Sequence, residues 1–319
     1  MNNFFKGPFK DILYSYYQYK INLGYDFESE KSKLKDFDNY TINVDEPILS
    51  QELIYDFVNS KDVNSNTKAS NISVLRGFIK YLYQNEKCNF LIPTRIYRRT
   101  NPKPPHIFTE EEIKVFFKIT KDFYPEDELK NLLVYLCFKL LYCTGMRISE
   151  CLNIKLQDID FDNNSITLYN TKNNVDRRII VNDNITKDLS TIKDKFIDII
   201  NLNNNNYIFT RRNGKKYMSD DMYSIFRKIL YYAGIEHNEN GPTIHCFRHT
   251  FCVKSYQKIL ESGTDYNTNI AALSAYVGHK NFLSTEYYLR LVSELYPQIR
   301  NKIEEYSSYV IAKLDDYDE

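Results

Sequence analysis

The sequence predicts a mainly α-helical protein with a small antiparallel β-sheet, built as two domains. Three observations carry this. Apolar residues recur at helical spacing through the first hundred residues and again from Asn131 to Leu141. A single stretch near the middle, Asp160 to Asn184, alternates in the manner of strands. Between the helical regions lies a basic, proline-bearing segment without glycine, which reads as a stiff linker.

A chain of 319 residues, 43% hydrophobic and 26% charged, is long enough for two domains with ample core. Lys+Arg and Asp+Glu both number 42, so the net charge is zero. Binding to nucleic acid would therefore need a local basic surface, because no global field exists. Part of the acid is set apart in the tail Leu314-Asp-Asp-Tyr-Asp-Glu319. The six cysteines form no CxxC pair and read as reduced, mostly buried thiols. The first residues lack the apolar run of a signal peptide, and no segment is long enough to span a bilayer. The expectation is a cytoplasmic protein.

In the first domain, residues 1–95, Asp11 to Leu23 carries a helical stripe of Ile12, Leu13, Tyr16, Tyr17 and Tyr19. Ser50 is placed as the N-cap of a short helix. Asn71 to Gln84 is the strongest amphipathic segment. Arg76 and Lys80 lie four apart on it, either to meet phosphates or as the solvated face of a core helix. The linker, residues 96–107, follows Arg95 and holds Arg98, Arg99 and Lys103, so the junction is basic. That suits a protein encircling a duplex, and equally a plain solvated linker.

Thr109-Glu-Glu-Glu112 is a capping box that opens the second domain, residues 108–300. The nearly all-apolar helix Asn131 to Leu141 runs to a break at Gly145, after which Arg147 begins another short helix. Glu150 is available to Arg147, either as a structural ion pair or as the support of a guanidinium aimed at phosphate. Ser165 to Tyr169 and Arg177 to Val181 read as paired strands around a turn that holds Lys172. Tyr207 to Thr210 is expected to add a third strand, and Ser219 to cap the helix Met222 to Ala233. The tail 301–319 has apolar helical spacing and docks either on its own domain or on a neighbouring subunit.

Pro242 to Tyr288 concentrates the chemistry. It contains His245-Cys-Phe-Arg248-His249, Gly278-His279 and Tyr287-Tyr288. Cations fixed in advance, with a hydroxyl nucleophile nearby, suit an oxyanion whose charge grows during reaction, and a phosphate diester is the natural candidate. Two rivals remain. His245, His249 and Cys252 share one helical face and would offer zinc three ligands, with Arg248 between them repelling the cation. Cys246 with a histidine would make a nucleophilic pair, without an evident oxyanion loop.

Taken together, Thr144-Gly-Met-Arg147-Ile-Ser-Glu150, Thr171-Lys172 before Arg177, His245-Cys-Phe-Arg248-His-Thr-Phe251, Gly278-His279 and Tyr288 resemble the tyrosine recombinase (phage integrase) family in order and local spacing. The resemblance covers Thr109 to Arg290 well and the helical N-terminal part more loosely, as the family's core-binding domain. It implies a two-domain, C-shaped clamp on double-stranded DNA. Arg147 and Arg248 match the pair that clamps the scissile phosphate. His245 matches an acid/base and phosphate contact, and His279 a phosphate ligand. Lys172 matches the proton donor to the leaving 5′-oxygen. Tyr288 matches the nucleophile, and Glu150 the acid that buttresses the first arginine. Tyr287 competes for the nucleophile's place, but helical neighbours point about 100° apart and the spacing from His279 favours Tyr288.

The sequence departs from the family pattern in a longer segment between Arg248 and His279, and in Thr171, Asn173 and Ile180 around the hairpin lysine. Tyr276-Val-Gly-His279 with Thr285 to Leu291 and Leu295-Tyr-Pro297 is similar to integrases of transposons and other mobile elements. No additional N-terminal arm-binding domain is expected. The family's reaction forms a 3′-phosphotyrosine and needs no metal and no cofactor. It implies a homotetramer on synapsed sites, a monomer without DNA, and an accessory directionality protein as a further partner. A topoisomerase-like enzyme and a catalytically idle DNA-binding module are the alternatives from other classes.

Overall fold

The computed structural model describes residues 4–94, 96–97, 104–169, 176–202, 206–238, 241–262, 266–278, 287–288 and 291. The expectations for Arg95, Arg98, Arg99, Lys103, Lys172, His279 and the tail 301–319 lie outside the described residues. The chain divides into two compact units, one ending at Pro102 and the other beginning at Lys103.

The first unit is helical: α1 (Lys10–Asn22), α2 (Glu28–Ile42), α3 (Gln51–Ser60) and α4 (Ser65–Gln84). Ser50 caps α3 as expected, its hydroxyl accepting from the Leu53 N–H at 3.2 Å. The strongest segment, α4, starts six residues before Asn71, because Asn64 caps it by accepting from Thr67. Its core face, with Leu75, Phe78, Ile79 and Leu82, packs on Leu13, Leu34, Phe37 and Phe57. Helix α2 lies beyond the sequence expectations, since a charge-rich segment with few apolar residues shows little period. It matters to this core all the same. Its buried Asp38 accepts the N–H of Lys6 at 2.6 Å and of Gly7 at 3.0 Å, tying down the entering chain.

The second unit surrounds its sheet with helices. Thr109 and Glu112 form the expected capping box at α5 (Glu110–Thr120). Helix α6 (Glu128–Thr144) is buried on most sides, as an all-round apolar helix must be. After α7 (Ile148–Leu152) come β1 (Ile159–Asp160), β2 (Ser165–Leu168) and β3 (Arg177–Ile180), an antiparallel sheet in the order β1-β2-β3. Ile166 pairs with Ile179 and Leu168 with Arg177. The side chains of Arg177 and Ile179 therefore share the inner face of β3. The third strand is a correction: β1 takes that place, and Tyr207 and Thr210 form only isolated bridges to Lys155 and Lys216. Two residues of β1 pair because the β1–β2 turn is short, a signal too brief to show as an alternating run.

Helix α8 (Asp183–Asn201) continues directly from the sheet, also beyond the sequence expectations. Helix α9 (Ser219–Tyr232) begins at Ser219 itself, so Ser219 is not its cap. Asp221 plays that part instead, accepting the Met218 N–H at 2.8 Å. Helices α10 (His245–Ser262) and α11 (Tyr266–Val277) complete the described elements.

Phe247 is the anchor for α10. Its ring is fully buried, 5.0 Å from that of Phe108, 5.2 Å from Phe116, 5.7 Å from Phe226 and 6.0 Å from Phe138. With one side chain locked between α5, α6 and α9, the rotation of α10 is fixed, and with it the direction of Arg248 and His249.

Candidate active site

Two arginines reach adjacent carbonyls, Arg248 that of Val277 and Arg147 that of Gly278. Helix α6 stops at Gly145, whose φ of +63° is the left-handed cap conformation. A side chain there would also run into the Phe251 ring. Arg147 follows as the N-cap of α7, and Glu150 serves it twice. Glu150 Oε2 accepts the Arg147 backbone N–H at 2.8 Å, and Oε1 accepts from Nη1 at 2.8 Å. Arg147 Nη2 turns toward the Gly278 carbonyl, 3.5 Å away. About a fifth (21%) of the Arg147 side chain is open to solvent.

Arg248 is buried, 3% exposed, and among the described residues it makes no ion pair with a carboxylate. It donates from Nη1 to the Gly145 carbonyl and from Nη2 to the Val277 carbonyl, both at 2.7 Å. Both acceptors lie at helix C-termini, where the carbonyl ends of the dipole favour a cation. Burial pulls the guanidinium below its ordinary pKa, yet an arginine stays charged in any protein interior. Among the described residues, this positive group is thus held by carbonyls rather than by a carboxylate ion pair.

Tyr288 approaches the same helix. It is 4% exposed, its ring lies 6.1 Å from that of Tyr256, and its hydroxyl is 3.1 Å from Nδ1 of His249. Burial, and next the Cys252 thiol, raise the phenol above its ordinary pKa, while Arg248 pulls it down. Burial, then the charges of His245 and Arg248, push His249 down to about 3. Both shifts favour the uncharged forms, a neutral phenol beside a neutral imidazole. His245, exposed at the first turn of α10, sets its ring 4.7 Å from that of His249. Tyr287 lies alongside with its ring 5.5 Å from that of Tyr288, half-buried.

Of the residues expected from sequence, the structure brings together Arg147, Glu150, His245, Arg248 and Tyr288. Two more stand among them. His249 meets the phenol directly. Its signal in the sequence is its place four residues after His245, the same spacing that offers zinc a ligand. Arg177 makes a two-pronged ion pair with Glu150, Nη1 to Oε1 at 3.0 Å and Nη2 to Oε2 at 2.7 Å. Its signal was weaker, a single arginine opening a strand.

Among the described residues no three of His, Cys, Asp and Glu gather to hold a metal ion, so His245, His249 and Cys252 do not form a zinc site. Cys246 is core, its sulfur taking the Thr243 N–H at 3.3 Å. In the first unit, Arg76 spends its guanidinium on the carbonyls of Ile92 and Pro93, from Nε at 3.3 and 3.1 Å and from Nη2 to Pro93 at 2.9 Å. Lys80 is exposed. Among the described residues no helix is long and apolar enough to cross a membrane.

Comparison with known proteins fits this geometry. The family model of the phage integrase family matches residues 106–294. The tyrosine recombinase XerC of Staphylococcus aureus is 28% identical over 249 residues, which is 75% of this chain and 74% of the relative. Among solved structures, the XerH site-specific recombinase bound to a palindromic difH substrate, in a post-cleavage complex, superposes with a TM-score of 0.62 at 19% identity, covering 88% of this chain and 78% of the other. The Tn1549 transposon integrase in complex with a circular intermediate DNA gives a TM-score of 0.62 at 18% identity, covering 87% of this chain and 94% of the other. The structural likenesses show the fold, and the family model spans more than half of the chain. The protein belongs to the phage integrase family of tyrosine recombinases.

Proposed function

We propose that this chain is a site-specific DNA recombinase that integrates or excises a mobile element through a covalent bond to Tyr288. The observation that carries the reading is the meeting of Tyr288 with α10. Its hydroxyl lies 3.1 Å from His249, the residue beside the buried, carbonyl-bound Arg248. Burial raises the pKa of this phenol and the buried, fixed Arg248 cation pulls it down, a pairing that suits attack on a phosphodiester.

In the reaction the Tyr288 oxygen bonds to phosphorus and the bond to the 5′-oxygen breaks, leaving a 3′-phosphotyrosine and a free 5′-hydroxyl. The bond energy is kept in the phosphotyrosine, so a partner strand's 5′-hydroxyl reverses the step without external energy. Arg147 and Arg248 hold the phosphate, with His245 and His279 as further contacts and His245 as acid/base. Lys172 protonates the leaving oxygen. Glu150 holds Arg147 in place. Exchange of two strand pairs takes four protomers, so the working form is a homotetramer on synapsed sites, assembled from monomers on double-stranded DNA, with an accessory protein setting direction. Lys80 and the basic residues Arg95, Arg98, Arg99 and Lys103 supply phosphate contacts that a neutral chain must gather locally. Arg76 is occupied by the carbonyls of Ile92 and Pro93, so we assign it to holding the end of the first domain. Acting on DNA places the protein in the cytoplasm.

The test is covalent trapping. The full chain is incubated, without divalent metal, with nicked suicide duplexes drawn from the ends of its own element. The expected result is a denaturant-resistant adduct that maps to Tyr288 and is lost in Tyr288→Phe while DNA binding survives. An adduct that persists in Tyr288→Phe overturns the assignment of the nucleophile. Binding without any adduct in the wild type overturns the enzymatic reading.

A further inference from the structure

Three consecutive carbonyls at the end of α11 are each read by a different arginine. Tyr276 accepts from Arg177 Nε at 2.9 Å, Val277 from Arg248 Nη2 at 2.7 Å, and Gly278 from Arg147 Nη2 at 3.5 Å. Such a helix end carries partial negative charge and unpaired acceptors, so it offsets the repulsion among clustered cations. Arg147 and Arg248 are accounted for by the reading above. Arg177 is not.

We propose that Arg177 is a positioning residue that sets two parts of the phosphate site at once: through Glu150 it fixes the Arg147 guanidinium, and through the Tyr276 carbonyl it fixes the turn at Gly278. This rests on the recombinase reading for its consequence, though not for its geometry.

Consider what Glu150 would do without it. The carboxylate would meet only Arg147, through one backbone and one side-chain bond. Its far edge would be bare, and Arg147 would have a rotatable support. Arg177 closes that edge with a parallel pair of bonds to both oxygens. Such a two-pronged pair fixes the plane of the carboxylate, and thereby the plane of the guanidinium on its other side. Burial alone pushes the Glu150 carboxyl up in pKa. The hydrogen bonds from Arg177 and Arg147, with the Arg177 charge, outweigh it and leave the carboxyl below its ordinary value. Glu150 thus stays charged in a nearly closed site, at 5% side-chain exposure.

Arg177 itself has little left for DNA. Each of its three nitrogens already has a partner, and its side chain is 8% exposed, against 21% for Arg147. The division follows from these numbers: Arg147 presents an edge, and Arg177 holds what holds it. The second link is tight as well. Gly278 has a φ of +71°, and a Cβ there would stand 3.1 Å from Arg177 Nη1. The guanidinium packs closely against Gly278. Sheet register adds a reason for its position. Arg177 opens β3 on the inner face, opposite Leu168, so the strand delivers it to Glu150 without a flexible loop.

The experiment has two arms on the full chain. In the first, without DNA, arginine side chains are labelled with 13C and 15N, and the Nη protons of Arg147 are followed by NMR. In the wild type, hindered rotation keeps these signals separate. In Arg177→Gln they merge, while those of Arg248, held by Gly145 and Val277, stay separate. Unchanged Arg147 signals overturn the proposal.

In the second arm, single-turnover adduct formation slows about 10- to 100-fold in Arg177→Gln, the scale of a small misplacement of a catalytic group. DNA affinity stays within about 3-fold, because no phosphate contact is lost. Arg177→Lys recovers part of the rate. It also keeps the test alive if Arg177→Gln fails to fold. In an Arg147→Lys background, Arg177→Gln costs less than it does alone, as expected of two residues acting through one carboxylate. Full additivity would mean a merely structural ion pair and would overturn the proposal. A wild type that forms no adduct while the NMR arm behaves as described sinks the recombinase reading and leaves the positioning role standing.

Discussion

The Tyr288 hydroxyl and Nδ1 of His249 share a hydrogen bond, 3.1 Å long. The folded pKa of His249 is pushed from 6.5 down to about 3 by burial, then by His245 and Arg248. The sign of the pH effect follows. Above 6.5 the ring is neutral in both the folded and unfolded states. As pH falls below 6.5 the unfolded chain takes up the proton first, so stability is lost until the folded pKa near 3 is reached. The slope from this group is at most about 1.4 kcal/mol per pH unit, less what solvent screens. His249→Asn keeps an acceptor near the Nδ1 position and does not titrate there. Urea midpoints from pH 7 to 4 should therefore fall more steeply for the wild type than for His249→Asn. Equal slopes would show that His249 titrates normally.

Gly145 is required twice, by its left-handed backbone and by the Phe251 ring beside it. Alanine there should cost about 2 kcal/mol or more, the sum of a left-handed alanine and a shifted ring. Its carbonyl also holds Arg248, so adduct formation should fall further than stability alone explains. Thermal melts with single-turnover trapping in the same buffer would compare the two. A Gly145→Ala protein with a wild-type melting point would contradict this.

How much was readable beforehand depended on how local each signal is. The Thr109–Glu112 capping box, the Ser50 cap, the stop at Gly145 and the β2–β3 pairing are decided within a few residues and were legible. The pairing of Arg147 with Glu150 was legible for the same reason. Arg177 on Glu150 and Tyr288 on His249 join residues 27 and 39 positions apart, and no local pattern announces either. Helix α2 hides because its stripe is thin, and β1 because two residues show no alternation. Ser219 looked like a cap because serine so often is one. The N-terminal turn of α9 instead uses Asp221, which reaches back to Met218.

Asp38 closes the first unit by accepting two backbone N–H groups at the start of the chain. Asparagine would keep one acceptor and lose the charge-assisted bonds. The expected cost is about 1.5–3 kcal/mol. Gly7 must follow, since a Cβ there would lie 2.6 Å from Asp38 Oδ1. Denaturant titration of Asp38→Asn should show a lower midpoint, with fluorescence or NMR changes centred on Phe4 and Phe5. Unchanged stability would mean the entering segment contributes nothing to this core.

Phe247 links core to chemistry through one helical step. Its ring sits among Phe108, Phe116, Phe138 and Phe226, and the next residue is Arg248. Phe247→Ala should cost about 3–5 kcal/mol through the cavity it leaves. Phe247→Leu is the sharper test, because it fills part of that space and keeps the fold. With a smaller anchor, α10 gains freedom to rotate, and a few degrees move the Arg248 guanidinium off the Gly145 and Val277 carbonyls, each now at 2.7 Å. The expected result for Phe247→Leu is a modest loss of stability, near 1 kcal/mol, beside a loss of adduct formation of about 10-fold or more. Loss of stability with trapping at the wild-type rate would show that Arg248 is held by its carbonyls alone and that the aromatic cluster is only core.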